Sequence, residues 1–188
     1  KKAIAPFGEK LIVHTSNFRK VKRVQDVVHA FDQIIKELPA KLLLIGDGPE
    51  RQQIEKLCRD LGNCEHVRFL GKQEAIEEIL SVCDLFMMPS ESESFGLAAL
   101  EAMACQVPVI SSNTGGMPEL NIHGVTGYLS DVGNVDEMSR FAIDLLKDPE
   151  KHNAFKKNAL EQAKKFDIHV ILPKYEKFYQ KVIENMLV

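Results

Sequence analysis

A chain of 188 residues can bury one hydrophobic core and fits a single domain with at most a short tail. Apolar residues make up 45% and charged residues 27% of it, which excludes a disordered or fibrous chain; a net charge of −3 argues against a general polyanion binder, whose affinity rests on many Lys and Arg phosphate contacts. No apolar run approaches the roughly 20 residues of a membrane span and residues 1–10 lack the apolar stretch of a secretory signal, so a cytoplasmic protein that binds neither membrane nor nucleic acid is expected.

Residues 1–8 read as a lead-in segment, and the apolar run Leu11 to Thr15 as the first strand. A basic loop follows, then a helix from Val24 to Leu38, where Val24, Val27, Val28, Phe31, Ile34, Ile35 and Leu38 form one stripe at helical spacing. Lys41 to Ile45 is the second strand; the next helix, Pro49 to Leu61, opens on a proline and closes before Gly62, the usual asymmetry of helix ends. Val67 to Leu70, Asp84 to Pro89 and Val107 to Ser111 read as further strands, with a weaker sixth at Gly127 to Leu129. Helices at Ala75 to Val82, Phe95 to Cys105 and Val135 to Leu146 supply the crossovers, and two helical stretches, about 150–165 and 168–187, form a tail with no following strand. Strands apolar on both faces that alternate with amphipathic helices define an α/β fold: a Rossmann-like, doubly wound parallel sheet of about six strands with a helical C-terminal tail. Cys58, Cys64, Cys83 and Cys105 include no C-x-x-C pair and read as reduced packing thiols.

In such a sheet, ligands bind outside the carboxyl ends of the strands, so the loops after each strand carry the chemistry. The first loop, Ser16-Asn17-Phe18-Arg19-Lys20-Val21-Lys22-Arg23, places four cations among five residues, enough to neutralise a diphosphate, although a solvated basic loop has the same composition. The second, Gly46-Asp47-Gly48-Pro49, reads best as a plain strand-to-helix turn. Neither G-x-G-x-x-G nor a P-loop occurs, which removes the main support for a dinucleotide enzyme or an NTPase. A flavodoxin-like response domain lacks its phosphoacceptor Asp after the first and third strands.

The loop after the fourth strand is the most informative. In Glu93-Ser94-Phe95-Gly96-Leu97-Ala98-Ala99-Leu100-Glu101, two acids lie eight positions apart around a helix start. With the helix beginning near Phe95, the amides of Phe95, Gly96 and Leu97 face outward at its positive end, where a phosphate is favoured, and Gly96 clears the way. Glu101 shares a face with Leu97 and can accept hydrogen bonds from a vicinal diol, as Glu93 can from a sugar. Each Glu taken singly is also an ordinary helix-start or surface residue, but a charge among Leu100, Ala102 and Met103 calls for a partner. After the fifth strand, Gly115-Gly116-Met117-Pro118-Glu119 pairs two glycines with a helix start and offers either more amides to a ligand or a sharp turn.

Glu93 and Glu101, with seven residues between them in this segment, resemble the signature of family 4 (group 1) of the retaining glycosyltransferases, which have the two-domain GT-B fold. The likeness runs along nearly the whole chain, through Gly46-Asp47-Gly48-Pro49, Phe69-Leu70-Gly71, Pro89-Ser90, Gly115 to Glu119 and Gly124-Val125-Thr126-Gly127. It implies that residues 1–188 are the C-terminal nucleotide-sugar-binding domain, with an N-terminal acceptor domain outside this sequence. It further implies that Lys22 binds the donor diphosphate, Glu101 the ribose, Glu93 the sugar hydroxyls, and Ser94 with the amides of Phe95 to Leu97 the sugar and phosphate, while Gly71 and Lys72 receive the base. Many members carry Gly-Arg-Leu where this chain has Ser16-Asn17-Phe18, so the phosphate-binding arginine is displaced to Arg19, with Ser16 and Asn17 in the same substrate loop. Lys22, Arg19 and Glu93 are then the catalytic candidates. The run Thr15 to Val24 looks most like the branch that transfers N-acetylglucosamine from its UDP donor to L-malate in bacillithiol synthesis. The implied substrates are a UDP-sugar and a small-molecule acceptor. No cofactor or metal is required, and no Asp-x-Asp pair is present. A binding module without activity of its own, a UDP-sugar epimerase-like enzyme and a homo-oligomer stay open.

Overall fold

The structure, a computed structural model, describes residues 1–186. Six parallel strands form one sheet: β1 (Lys10–Ser16), β2 (Ala40–Gly46), β3 (Val67–Gly71), β4 (Leu85–Met88), β5 (Val109–Ser112) and β6 (Gly127–Ser130), in the order β3-β2-β1-β4-β5-β6. With β1 central, this is the order of a Rossmann-like doubly wound sheet, the architecture that the sequence predicts. The helices are α1 (Val24–Ile34), α2 (Arg51–Asp60), α3 (Ile76–Leu80), α4 (Leu97–Ala104), α5 (Met117–Leu120), α6 (Val135–Lys147), α7 (Pro149–Lys164) and α8 (Ile168–Met186).

Alternate residues of each strand point to opposite faces, and two cores result. Ile12, Leu42, Leu44, Leu85, Met87 and Ile110 meet the predicted stripe of α1 together with α6. Leu11, Val13, Leu43, Ile45, Phe86 and Met88 meet Ala99, Ala102 and Met103 of α4 and Ala159 and Ala163 of α7. Cys58 and Cys83 are buried free thiols, and burial pushes them up to about 11 and about 12 respectively.

Several ends move by a few residues for local reasons. Helix α1 stops at Ile34 instead of Leu38, because Pro39 disfavours helical backbone before it and Ile35 to Leu38 close in turns. Strand β5 begins at Val109, since Pro108 has no N–H for the ladder. Helix α7 opens one residue early on Pro149, capped by Asp148, which accepts from the amides of Glu150 and Lys151. The short α5 follows Gly115-Gly116, where the sequence reads a helix start. Residue 187 of the predicted last helix lies outside the described residues.

Among the described residues no helix is long and apolar enough to cross a membrane. Along α8, Tyr175, Phe178 and Tyr179 are exposed.

Candidate functional site

The chain runs from β1 outward to β3, then crosses back over β1 to β4, so the loops after β1 and β4 diverge and leave a crevice between them. A cleft of about 450 Å³ occupies this place. Ser16, Asn17 and Lys22 line it from the β1 side, and Glu93, Ser94, Phe95, Gly96 and Leu97 from the β4 side.

Glycine sequences behind the walls set their shape. A Cβ on Gly46 would stand 1.8 Å from Ser16 O, and one on Gly48 2.1 Å from Asn17 O, so the second loop is more than a turn: it supports the first at backbone contact. On the opposite wall a Cβ on Gly115 would stand 1.7 Å from Glu93 O, while Gly116 N–H donates to that oxygen at 3.2 Å. Gly115 and Gly116 therefore clamp the Glu93 loop, and the Gly116 amide is not free for a ligand. Glu91 N–H donates to Val21 O at 2.8 Å and ties the two walls together.

Of the four cations in the first loop, only Lys22 reaches the cleft, with Nζ 2.6 Å from Glu93 Oε2. Arg23, in left-handed conformation at φ 48°, turns to Asp26 at 2.6 Å. Arg19 and Lys20 are exposed.

Helix α4 starts at Leu97 and not near Phe95, because Gly96 takes the left-handed cap at φ 93°. Its first internal bond runs from Leu100 N–H to Gly96 O, so the open amides of the first turn are those of Leu97, Ala98 and Ala99. The φ of 93° favours glycine at position 96, and a Cβ there would also crowd Met117 Sδ at 2.4 Å. Phe95 is wedged edge-on against Phe166, ring centroids 5.3 Å apart.

Glu101 stands outside the cleft lining. It is exposed without an ion-pair partner among the described residues, although its apolar neighbours suggested one. At about 100° per residue, Ala102 and Met103 turn into the core while Glu101 turns out. Partial burial, and then the Glu77 carboxylate on α3, push its pKa up. Gly71, at φ 66°, and the exposed Lys72 lie at the carboxyl end of the edge strand β3, also beyond the lining.

Two lining residues are not among the site residues that the sequence points to. His14 sits within the apolar run of β1, fully buried; Nδ1 is 2.8 Å from Met87 O and Nε2 2.8 Å from Ser16 Oγ. A ring donating from Nδ1 to Met87 O accepts the Ser16 hydroxyl proton at Nε2, which fixes Ser16 at the cleft. Desolvation lowers His14 to about 4, so the ring is neutral near pH 7. Ser90, in the Pro89-Ser90 pair, also lines the cleft, with its buried hydroxyl unpartnered.

Residues 1–162 match the family model described as glycosyl transferases group 1. Over 179 residues the chain is 49% identical to the N-acetyl-alpha-D-glucosaminyl L-malate synthase of Bacillus anthracis, covering 95% of this chain and 47% of that protein. Among solved structures it is similar to sucrose-phosphate synthase from Thermosynechococcus elongatus, with a TM-score of 0.88, 27% identity, and coverage of 98% of this chain and 48% of that one. It is likewise similar to Anabaena HepE in complex with UDP and glucose, with a TM-score of 0.87, 26% identity, and coverage of 95% and 50%. The chain thus spans about half the length of each of these relatives. Extended sequence identity, the family match and the shared sheet agree: the chain belongs to the glycosyl transferases group 1 family.

Proposed function

We propose that this chain is the donor-binding domain of a retaining glycosyltransferase of GT-B architecture, which in the complete enzyme transfers N-acetylglucosamine from UDP-N-acetylglucosamine to L-malate. The observation that carries the donor site is the cleft between the β1 and β4 loops, where Lys22 and Glu93 meet beside the open first turn of α4. Identity of 49% to the Bacillus anthracis synthase supports the choice of sugar and acceptor. The acceptor site then belongs to a second domain, and the reaction to the cytoplasm, where the free thiols stay reduced.

In this reading the diphosphate lies against Lys22 and the amides of Leu97 and Ala98, which offer positive charge and unpaired donors. As the bond from the anomeric carbon to the diphosphate breaks, negative charge grows on the leaving oxygen and Lys22 stabilises it, with Arg19 joining only by turning inward from its exposed position in the same loop. Glu93 accepts hydrogen bonds from the sugar hydroxyls. Ser16, oriented by neutral His14, and Asn17 and Ser94 border the same space. Glu101 takes the ribose hydroxyls and the loop at Gly71 and Lys72 the base. The scheme uses no metal step.

Calorimetric titration with UDP-N-acetylglucosamine, UDP and GDP tests the donor site. Binding of the uridine ligands that weakens in Glu101→Ala is expected, and absence of uridine binding to the domain and to the complete enzyme overturns the reading. Formation of a glucosaminyl malate by the complete enzyme tests the acceptor.

A further inference from the structure

We infer that the Lys22–Glu93 ion pair is an internal stand-in for the donor, which makes the cleft select ligands that carry both a diphosphate and hydroxyl groups. The inference rests on the donor-site reading and deepens it, because it assigns selectivity to a contact made without ligand.

Lys22 and Glu93 are 23% and 14% exposed, and their charged atoms are 2.6 Å apart. Among the described residues they are the only Lys, Arg, Asp or Glu side chains in the lining. The cleft's one cation and one anion are thus joined to each other. The pair does not depend on two mobile side chains finding one another, since the backbones beneath are fastened: Glu91 N–H to Val21 O at 2.8 Å, and Gly116 N–H to Glu93 O at 3.2 Å.

An entering diphosphate draws Lys22 toward itself and leaves the Glu93 carboxylate largely shielded from water without its cation. A carboxylate stripped of its partner is strongly disfavoured unless new donors satisfy it. Sugar hydroxyls are such donors. Inorganic pyrophosphate brings mainly acceptors, so it competes with Glu93 for one ammonium and adds charge of the same sign beside it. A sugar diphosphate replaces both halves of the pair at once, whereas a bare diphosphate replaces one half and orphans the other.

The test measures inorganic pyrophosphate, UDP and UDP-N-acetylglucosamine by calorimetry at one ionic strength, on the native chain, Glu93→Gln and Glu91→Gln. Glu93→Gln keeps the side-chain shape and frees Lys22; pyrophosphate is expected to bind roughly tenfold more tightly, with the preference for UDP-N-acetylglucosamine over UDP reduced by a similar factor. Glu91→Gln removes the same charge two residues away without touching the pair, and its effect should stay within roughly twofold, the scale of a screened exposed charge. Should Glu93→Gln melt far below the native chain, Glu93→Asp, which only lengthens the pair, is expected to show the same changes at smaller size. Pyrophosphate affinity that is unchanged or weaker in the Glu93 variants, or an equal gain in Glu91→Gln, overturns the inference while leaving the donor site intact. Failure to bind UDP by native protein and variants alike, in the domain and in the complete enzyme, overturns the donor-site reading and the inference with it.

Discussion

The ammonium of Lys22 lies 2.6 Å from the carboxylate of Glu93, 71 positions away in the chain, across the crevice where the sheet reverses direction. Glu93 is only 14% exposed, so Lys22→Ala leaves a mostly shielded carboxylate without its cation. It is expected to cost a modest amount in urea unfolding, about 1–2 kcal/mol, the penalty of an unsatisfied partly buried group. UDP affinity should fall about 10- to 100-fold, since a hydrogen bond to a charged group contributes about 1.5–3 kcal/mol. Paired calorimetry and urea titration check this; an intact affinity with a lowered midpoint would make Lys22 a structural residue.

Glu101 gives the converse case. Its carboxylate is partly desolvated, repelled by Glu77 and unpaired, all of which disfavour the charged form. Glu101→Gln should leave the melting temperature unchanged or raise it while weakening UDP several-fold, because an amide is a poorer acceptor for a diol. Thermal melting followed by titration separates these effects, and a lowered melting temperature with native UDP affinity contradicts the assignment.

Gly115→Ala should damage the site from outside the lining. Its φ is 54°, and a Cβ would fall 1.7 Å from Glu93 O, a backbone atom with no room to yield. The cost is on the order of 3 kcal/mol, the upper range for overpacking, and the displaced Glu93 loop should lose donor affinity as well. Gly96→Ala meets the end of the Met117 side chain at 2.4 Å, which can move, so a smaller loss of about 1–2 kcal/mol is expected. Chemical denaturation of both variants provides the comparison.

Stability should fall as pH drops from about 6.5 toward 4. Desolvation depresses His14 to about 4 in the folded chain, whereas the unfolded chain takes up the proton near the ordinary value of 6.5. Between those values the unfolded state binds more protons, so acidification favours unfolding, by up to about 3 kcal/mol once His14 alone is counted. His152, lowered by burial despite its bond to Asp84 O, acts in the same direction. Unfolding curves at pH 7 and pH 5 for the native chain and His14→Gln test the share due to His14; an equal pH dependence in both removes it.

Periodicity was enough to read the sheet and most of its helices, because a strand covered on both faces must be apolar throughout and a crossover helix must bury one stripe. Helix ends were less legible. Where α4 begins depends on Gly96 adopting φ 93° against Met117, a contact between elements that no local pattern records. His14 shows the same limit, since a histidine inside an apolar run looks like core until Ser16 and Met87 are seen around it.

The sequence by itself determined the α/β class, the ligand edge of the sheet, the two-glutamate segment and the family, since each rests on residues close together in the chain or on patterns carried along all of it. Only the tertiary structure decided which of four neighbouring cations reaches the cleft, that Glu93 is its partner while Glu101 turns to the outside, and that the glycines after β2 and β5 brace the loops after β1 and β4. The physical reason is that ion pairing and backbone contact fall away within a few ångströms, and those separations are set by the packing of distant segments, which local sequence does not specify.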